Sequence, residues 1–263
     1  MRFTHGEKMR KVIYTCIVGN YDSLPQPLVV DESFEYVCFS NDIKEERVGV
    51  WQVRPIPYSN SDRTRLSRFV KLQPHLVLGG YDVSVWMDAN IRITGGEFYR
   101  LVNEEIEKGS LVAQVPHPLR DCVYEEITEC YKDVRIGLCD ALRQKKHLRK
   151  AGFPRHFGMM ENNLILRRHN DPLVRRISDE WWKEYLDYSI RDQLSLMPVF
   201  WRLGFRPDLL LGEGNNARNV PYLEIVRHPG RSSVTDLKGI HRLPRKLQWN
   251  FRIAVASVLL RND

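Results

Sequence analysis

The residues best placed for chemistry are Asp88 and Asn90, in the stretch Trp86-Met87-Asp88-Ala89-Asn90. They follow the apolar run Val83-Ser84-Val85, which reads as a strand ending on Asp88. In an extended turn, positions i and i+2 let two short oxygen-bearing side chains converge on one hard cation. Mn²⁺ or Mg²⁺ accepts such ligands and completes its shell with water and substrate phosphates. An Asp-containing turn is the competing reading, and the strand-end position favours the metal.

Cations sit close by in sequence. Arg63, Arg65, Arg68 and Lys71 fall in a helix expected over residues 62–78, with Leu66, Phe69, Val70 and Leu76 on its apolar side. Arg65 and Arg68 share a face, as do Arg68 and Lys71. Guanidinium groups bind phosphate oxygens in pairs, so these suit a diphosphate; a solvated basic face is the alternative. Two other strand ends carry polar groups. In Gly19-Asn20-Tyr21-Asp22 the glycine permits close backbone approach and Tyr21 could stack on a base; in Ser40-Asn41-Asp42 the Asp42 carboxylate could accept from a ribose or uracil edge. Both sequences also suit plain turns. Glu161-Asn162-Asn163 and Arg191-Asp192-Gln193 place polar side chains on apolar elements, although Asp192 could cap its own helix and Gln193 could face water. His117-Pro118 reads as a turn. No Ser–His–acid order and no C-x-x-C occurs, so nucleophilic hydrolysis is unsupported.

These residues need a scaffold, and the chain supplies an alternation of strands and helices. Strands are expected at 12–18, 36–39, 50–53, 83–87, 111–115 and 158–166. Helices are expected at 62–78 (kinked by Pro74), 96–107, most of 121–150, from Asp171 onward, and from Ser189 to Gly204. That order predicts an α/β fold: a mostly parallel, Rossmann-like sheet with helices on both faces. Ligands of such sheets bind beyond the carboxyl ends of the strands.

The 263 residues carry 40 Lys and Arg against 33 Asp and Glu, a formal charge of +7. The balance favours anionic partners, and the scattered basic residues argue against nucleic acid. Five cysteines have no zinc or disulfide spacing, the first twenty residues are too polar for a secretory signal, and no apolar run reaches eighteen. A cytoplasmic protein is expected. Residues 1–244 read as one domain. Residues 245–263 read as an amphipathic helix, either docked on that domain or lying on anionic lipid at the inner membrane face.

Taken together, the motifs resemble the TOD/MUCI-type glycosyltransferase-like domain, known in plants and in bacterial polysaccharide clusters. The resemblance runs in order through Gly19-Asn20-Tyr21-Asp22, Cys38-Phe39-Ser40-Asn41-Asp42, Pro74-His75, Trp86-Met87-Asp88-Ala89-Asn90 and His117-Pro118 with Arg120. It continues through Tyr124-Glu125-Glu126, Gly152-Phe153-Pro154, Arg168-His169-Asn170, Trp181-Trp182 and Arg191-Asp192-Gln193, covering about residues 12–205. It implies a glycosyltransferase-A fold and a D-x-D-type metal turn, here with Asn90 in the second position. A C-terminal histidine often completes that metal shell; His228 is preferred over His241 because Gly230 and Arg231 follow it. The Asp192-Gln193 pair is similar to one near the donor sugar in retaining relatives.

The implied reaction moves a sugar from a nucleoside diphosphate, UDP favoured, to a hydroxyl of a glycan or lipid-linked glycan in surface polysaccharide synthesis. Gly19, Asn20, Tyr21, Asp42, Arg65, Arg68, Lys71 and His117 would bind the donor, and Asp192, Gln193 and Glu161 are the catalytic candidates. Stereochemistry stays open. The rival readings are a nucleotidyltransferase and a non-catalytic nucleotide-sugar or anionic-glycan binding module.

Overall fold

The structure, a computed structural model, describes residues 9–19, 23–188, 191–226 and 242–260, without the side chains of 242–248 and 251. The chain forms two compact units. The first comprises Met1–Pro116, Glu161–Trp182 and Arg206–Pro229; the second comprises His117–Met160, Lys183–Phe205 and Gly230–Asp263.

The strands are β1 (Lys11–Cys16), β2 (Phe34–Phe39), β3 (Arg47–Val48), β4 (Trp51–Arg54), β5 (Val83–Met87), β6 (Ile91–Ile93), β7 (Val112–Pro116), β8 (Met160–Arg167), β9 (Asp208–Leu209) and β10 (Leu223–Ile225). Eight of them make one sheet in the order β3-β4-β2-β1-β5-β8-β7-β9, while β6 and β10 pair separately. The β4–β2, β2–β1, β1–β5 and β7–β9 pairs are parallel; β3–β4 and β5–β8 are antiparallel. This is the mainly parallel α/β sheet that the apolar runs imply. β1 and β5 are almost wholly buried, as strands covered on both faces must be. Ile13, Val85, Phe98, Val102, Leu164 and Leu166 belong to one core cluster.

The helices are α1 (Arg63–Leu72), α2 (Pro74–Val77), α3 (Glu97–Lys108), α4 (Val123–Lys132), α5 (Leu138–Ala151), α6 (Pro172–Tyr188), α7 (Leu196–Arg202) and α8 (Arg242–Leu259). Asp62 caps α1 through Oδ1, which accepts the Thr64 N–H at 2.8 Å. Asp171 caps α6 in the same way at Leu173 N–H, 2.8 Å, with Pro172 first in the helix. Val174, Ile177, Trp181 and Tyr185 are buried, as their spacing requires.

Two expectations are corrected. The helix over 62–78 ends at Leu72 and resumes as the single turn α2, because Pro74 has no N–H to continue the ladder; Leu76 is exposed, not core. Residues 121–150 are mostly helical, as expected, in two helices separated at Asp133–Gly137. The helix expected from Ser189 to Gly204 is a short 3₁₀ turn, Asp192–Leu194, followed by α7; the Asp192 carbonyl accepts the Ser195 hydroxyl at 3.0 Å, and Ser189 lies outside the described residues. β3, β6, β9 and β10 were not anticipated.

Candidate active site

Asp88 leaves β5 at the carboxyl end of the sheet, and a turn closed by Ile91 N–H to Asp88 O (2.9 Å) carries Ala89 and Asn90. One carboxylate oxygen is held from two directions. Trp86 Nε1–H donates to Oδ1 at 2.8 Å, and Lys71 Nζ donates to the same atom at 3.3 Å. The Lys71 side chain is 3% exposed and the Asp88 side chain 38%, so the amine lies beneath the carboxylate, not beside it in solvent. Lys71 Nζ is also 5.3 Å from the Trp86 ring centroid, within cation–π range.

The position of Lys71 is fixed by a deeper network. Arg167, fully buried, donates to Lys71 O at 2.7 Å and to the Tyr14 hydroxyl. It thereby satisfies a carbonyl in the last turn of α1, where a cation also complements the helix dipole. Burial raises the Tyr14 phenol to about 12, so it stays protonated and accepts from Arg167 as a neutral group.

Above Asp88 opens a cleft of about 520 Å³ within the first unit. Trp86, Asp88, Ala89 and Asn90 form one wall; Cys16, Val18 and Gly19, at the end of β1, form another; Arg63, Thr64, Ser67 and Arg68 of α1 form the third. Arg63 and Ser67, and Thr64 and Arg68, are each one turn apart, so α1 presents a single polar face with two guanidinium groups. Gly19 has φ of +73°, and a Cβ there would meet Arg63 Nη1 at 2.9 Å; glycine permits both the turn and the approach of Arg63. Burial pushes the Cys16 thiol well up, so no thiolate faces the cleft.

Several sequence-expected residues gather here: Gly19, Arg68, Asp88 and Asn90 line the cleft. Asp42 reaches it indirectly, its Oδ2 accepting the Gly19 N–H at 2.6 Å. The others have partners of their own. Arg65 is off the cleft wall and faces Asp62 at 3.8 Å. Lys71 is the buried partner of Asp88. Glu161 is bound through both oxygens to Arg218, each at 2.6 Å, and that bond raises the Arg218 pKa. His117 is in the second unit, and its Nδ1 accepts the Leu119 and Arg120 N–H groups at 3.3 and 3.0 Å, which makes it the pin of a turn. Asp192 and Gln193 are also in the second unit; Asp192 is buried and Gln193 Nε2 donates to Met160 O at 3.4 Å. Asn20, Tyr21, His228 and His241 lie outside the described residues.

Arg63 was among the expected cations, whereas Thr64 and Ser67 on the same wall were not anticipated. They had a signal, the i,i+4 repeat on α1. The pairing of Arg218 with Glu161 had none, the two being 57 residues apart.

The donor set at the turn fits a hard divalent cation of the Mn²⁺ or Mg²⁺ kind. One Asp88 oxygen is left by the Trp86 and Lys71 bonds, and the Asn90 amide lines the same wall. One carboxylate and one neutral oxygen suit an ion that takes most of its shell from phosphate and water.

Three solved structures have similar folds at low identity. WbbM, a bifunctional glycosyltransferase in its apo form, is 11% identical with a TM-score of 0.41 over 79% of this chain and 39% of its own. Mouse xyloside xylosyltransferase 1 is 10% identical with a TM-score of 0.38, covering 74% of this chain and 81% of that one. The glycosyltransferase GlyE of Streptococcus pneumoniae TIGR4 is 10% identical with a TM-score of 0.44, covering 97% of this chain and 62% of that one. The chain therefore spans less than two thirds of two of them. No curated protein matches it. Residues 3–211 match the description TOD1/MUCI70, glycosyltransferase-like domain. With most of its length inside that match, the chain belongs to the TOD1/MUCI70 glycosyltransferase-like domain family.

Proposed function

We propose that the chain transfers a sugar from a nucleoside diphosphate sugar, preferably a UDP-sugar, to a hydroxyl of a glycan or lipid-linked glycan in polysaccharide synthesis. The observation that carries this reading is the cleft at the carboxyl end of β1 and β5, with Arg63 and Arg68 facing the half-exposed carboxylate of Asp88.

In this reading the acceptor oxygen bonds to the anomeric carbon, the bond from that carbon to the diphosphate breaks, and the diphosphate leaves with the electron pair and takes up the proton of the acceptor hydroxyl. Arg63 and Arg68 bind its oxygens and are already in place as negative charge grows there. Trp86 and Lys71 keep Asp88 in one orientation. Asp88 and Asn90 would hold a Mn²⁺ or Mg²⁺ ion, which supplies Lewis-acid neutralisation of the departing diphosphate when bound. Asp192 and Gln193 stay proposed as catalytic residues; Glu161 is proposed as the anchor of Arg218. Among the described residues no helix is long and apolar enough to cross a membrane. A lipid-linked acceptor would bring α8 to a membrane surface, through Trp249 and Ile253, which are 40% and 38% exposed.

The test is release of nucleoside diphosphate from a panel of nucleotide-sugars, with an acceptor and divalent metal. Release that requires Asp88 supports the reading. A second reading, a non-catalytic nucleotide-sugar binding module, is favoured by the ion pair Lys71 makes with Asp88, which already neutralises that carboxylate. It predicts saturable binding with no release for any donor.

A further inference from the structure

The second unit carries another set of metal-competent groups. Cys122, Glu125 and His156 bring a thiol, a carboxylate and an imidazole nitrogen within 4.8 Å of one another. We propose that they form a second divalent-metal site, of the Zn²⁺ class, separate from the Asp88 turn. A mixed sulfur, oxygen and nitrogen donor set selects a borderline-soft ion over the hard Mg²⁺ or Mn²⁺ expected at an oxygen-only turn.

Two features support it independently. Asp121 Oδ1 is 2.8 Å from His156 Nδ1, so the carboxylate takes the N–H on that side and leaves the Nε2 lone pair for a metal. Nε2 in turn faces Glu125 Oε1 at 3.8 Å. This is the carboxylate–histidine–metal order that orients ligating imidazoles. Cys122 occupies the cap position of α4 yet makes no capping hydrogen bond through its side chain, while the positive end of the helix complements the negative charge of the ligand set.

The site would close on small movements. Cys122 is buried and fixed, whereas Glu125 is half-buried and His156 exposed, so the last two can contract from 4.8 Å to the separation that bonds of about 2.0–2.3 Å to one ion require. His156 has φ of +52°, an uncommon conformation for a side-chain-bearing residue, and Gly158 N–H donates to Asp121 O at 3.0 Å, holding the loop against the start of α4. Arg155, 3.3 Å from Glu125 Oε1, would give up that contact to the ion. Three protein ligands leave the fourth position to water. The site clips α4 to the loop after α5.

The experiment is titration of Co²⁺ into the full chain, read by the near-ultraviolet sulfur-to-cobalt charge-transfer band. The band should appear, be displaced by Zn²⁺, vanish in Cys122→Ser and persist in Cys139→Ser, whose cysteine is exposed and outside the cluster. His156→Gln, at an exposed position, tests the site without threatening the fold and should weaken affinity at least about tenfold; Asp121→Asn should cost about 10–100-fold. Absence of the band, its survival in Cys122→Ser, or unchanged affinity in His156→Gln would overturn the proposal.

Discussion

Asp88, which lines the cleft, is held by an indole N–H and a buried ammonium on the same oxygen, Oδ1. Arg63 and Arg68 are the cations on the cleft wall, and Arg65 is not. Arg63→Ala and Arg68→Ala should each weaken nucleoside diphosphate binding by about 1–3 kcal/mol, the loss expected for charge-assisted hydrogen bonds, while Arg65→Ala leaves it unchanged. Calorimetry checks this; equal losses at all three positions would return α1 to a diffuse basic face. The sequence made Asp88 and Asn90 legible because a carboxylate at a strand end has a fixed address in this kind of sheet. The partners of Lys71 and Glu161 were not legible, because each is reached across the fold. A lysine with a four-carbon stem can lie under the core and reach Asp88, and Arg218 reaches Glu161 from a segment with no periodic pattern.

At the scale of elements, the phase of α1 decides which of its side chains meet the cleft. Buried Phe69, Val70 and Leu72 set that phase, and it turns Arg63, Ser67 and Arg68 outward to the cleft. The Arg168-His169-Asn170 motif also becomes intelligible as a clamp on element ends. Arg168 donates to Ile106 O at 2.7 Å, His169 Nε2 meets Leu78 O at 2.9 Å, and Asn170 donates to Tyr81 O at 2.9 Å. Burial lowers the His169 pKa to about 4, so the native ring is neutral and donates to Leu78. Between about pH 6.5, the ordinary histidine value, and pH 4 the unfolded chain binds a proton that the native chain refuses. Stability from this residue is therefore present above pH 6.5 and lost as pH falls to 4, by up to about 3 kcal/mol. Denaturant melts at pH 7 and pH 4.5 should show the drop, and His169→Gln should shrink it; an equal drop in the variant would place the acid sensitivity elsewhere. Gly19→Ala should weaken donor binding as well as stability, since its methyl group meets Arg63. A variant that only destabilises would separate the turn from the site.

Across the whole molecule, the strand–helix alternation was legible because buried parallel strands are continuous apolar runs. Two-residue β3 and β9 and three-residue β6 and β10 are too short to leave a pattern. The terminal helix was also legible, and it begins at Arg242, earlier than the expected 245. Within the second unit it docks: Arg252 lies 4.0 Å from the Tyr131 ring centroid and donates to Tyr131 O and Ile136 O at 2.7 and 2.9 Å, while Lys145 donates to Leu260 O at 2.8 Å. Arg252→Ala should lower stability by about 2 kcal/mol, from two lost charged hydrogen bonds at a half-buried position. Thermal melts would check it, and an unchanged melt would leave the helix undocked in solution. The function of the cleft is tested most directly by nucleoside diphosphate release by the full chain from a UDP-sugar panel, with acceptor and Mn²⁺ present. The wild type should release nucleoside diphosphate and Asp88→Asn none above background, with the two proteins melting alike. Full release by Asp88→Asn, or binding without release by the wild type for every donor and acceptor tried, would contradict it.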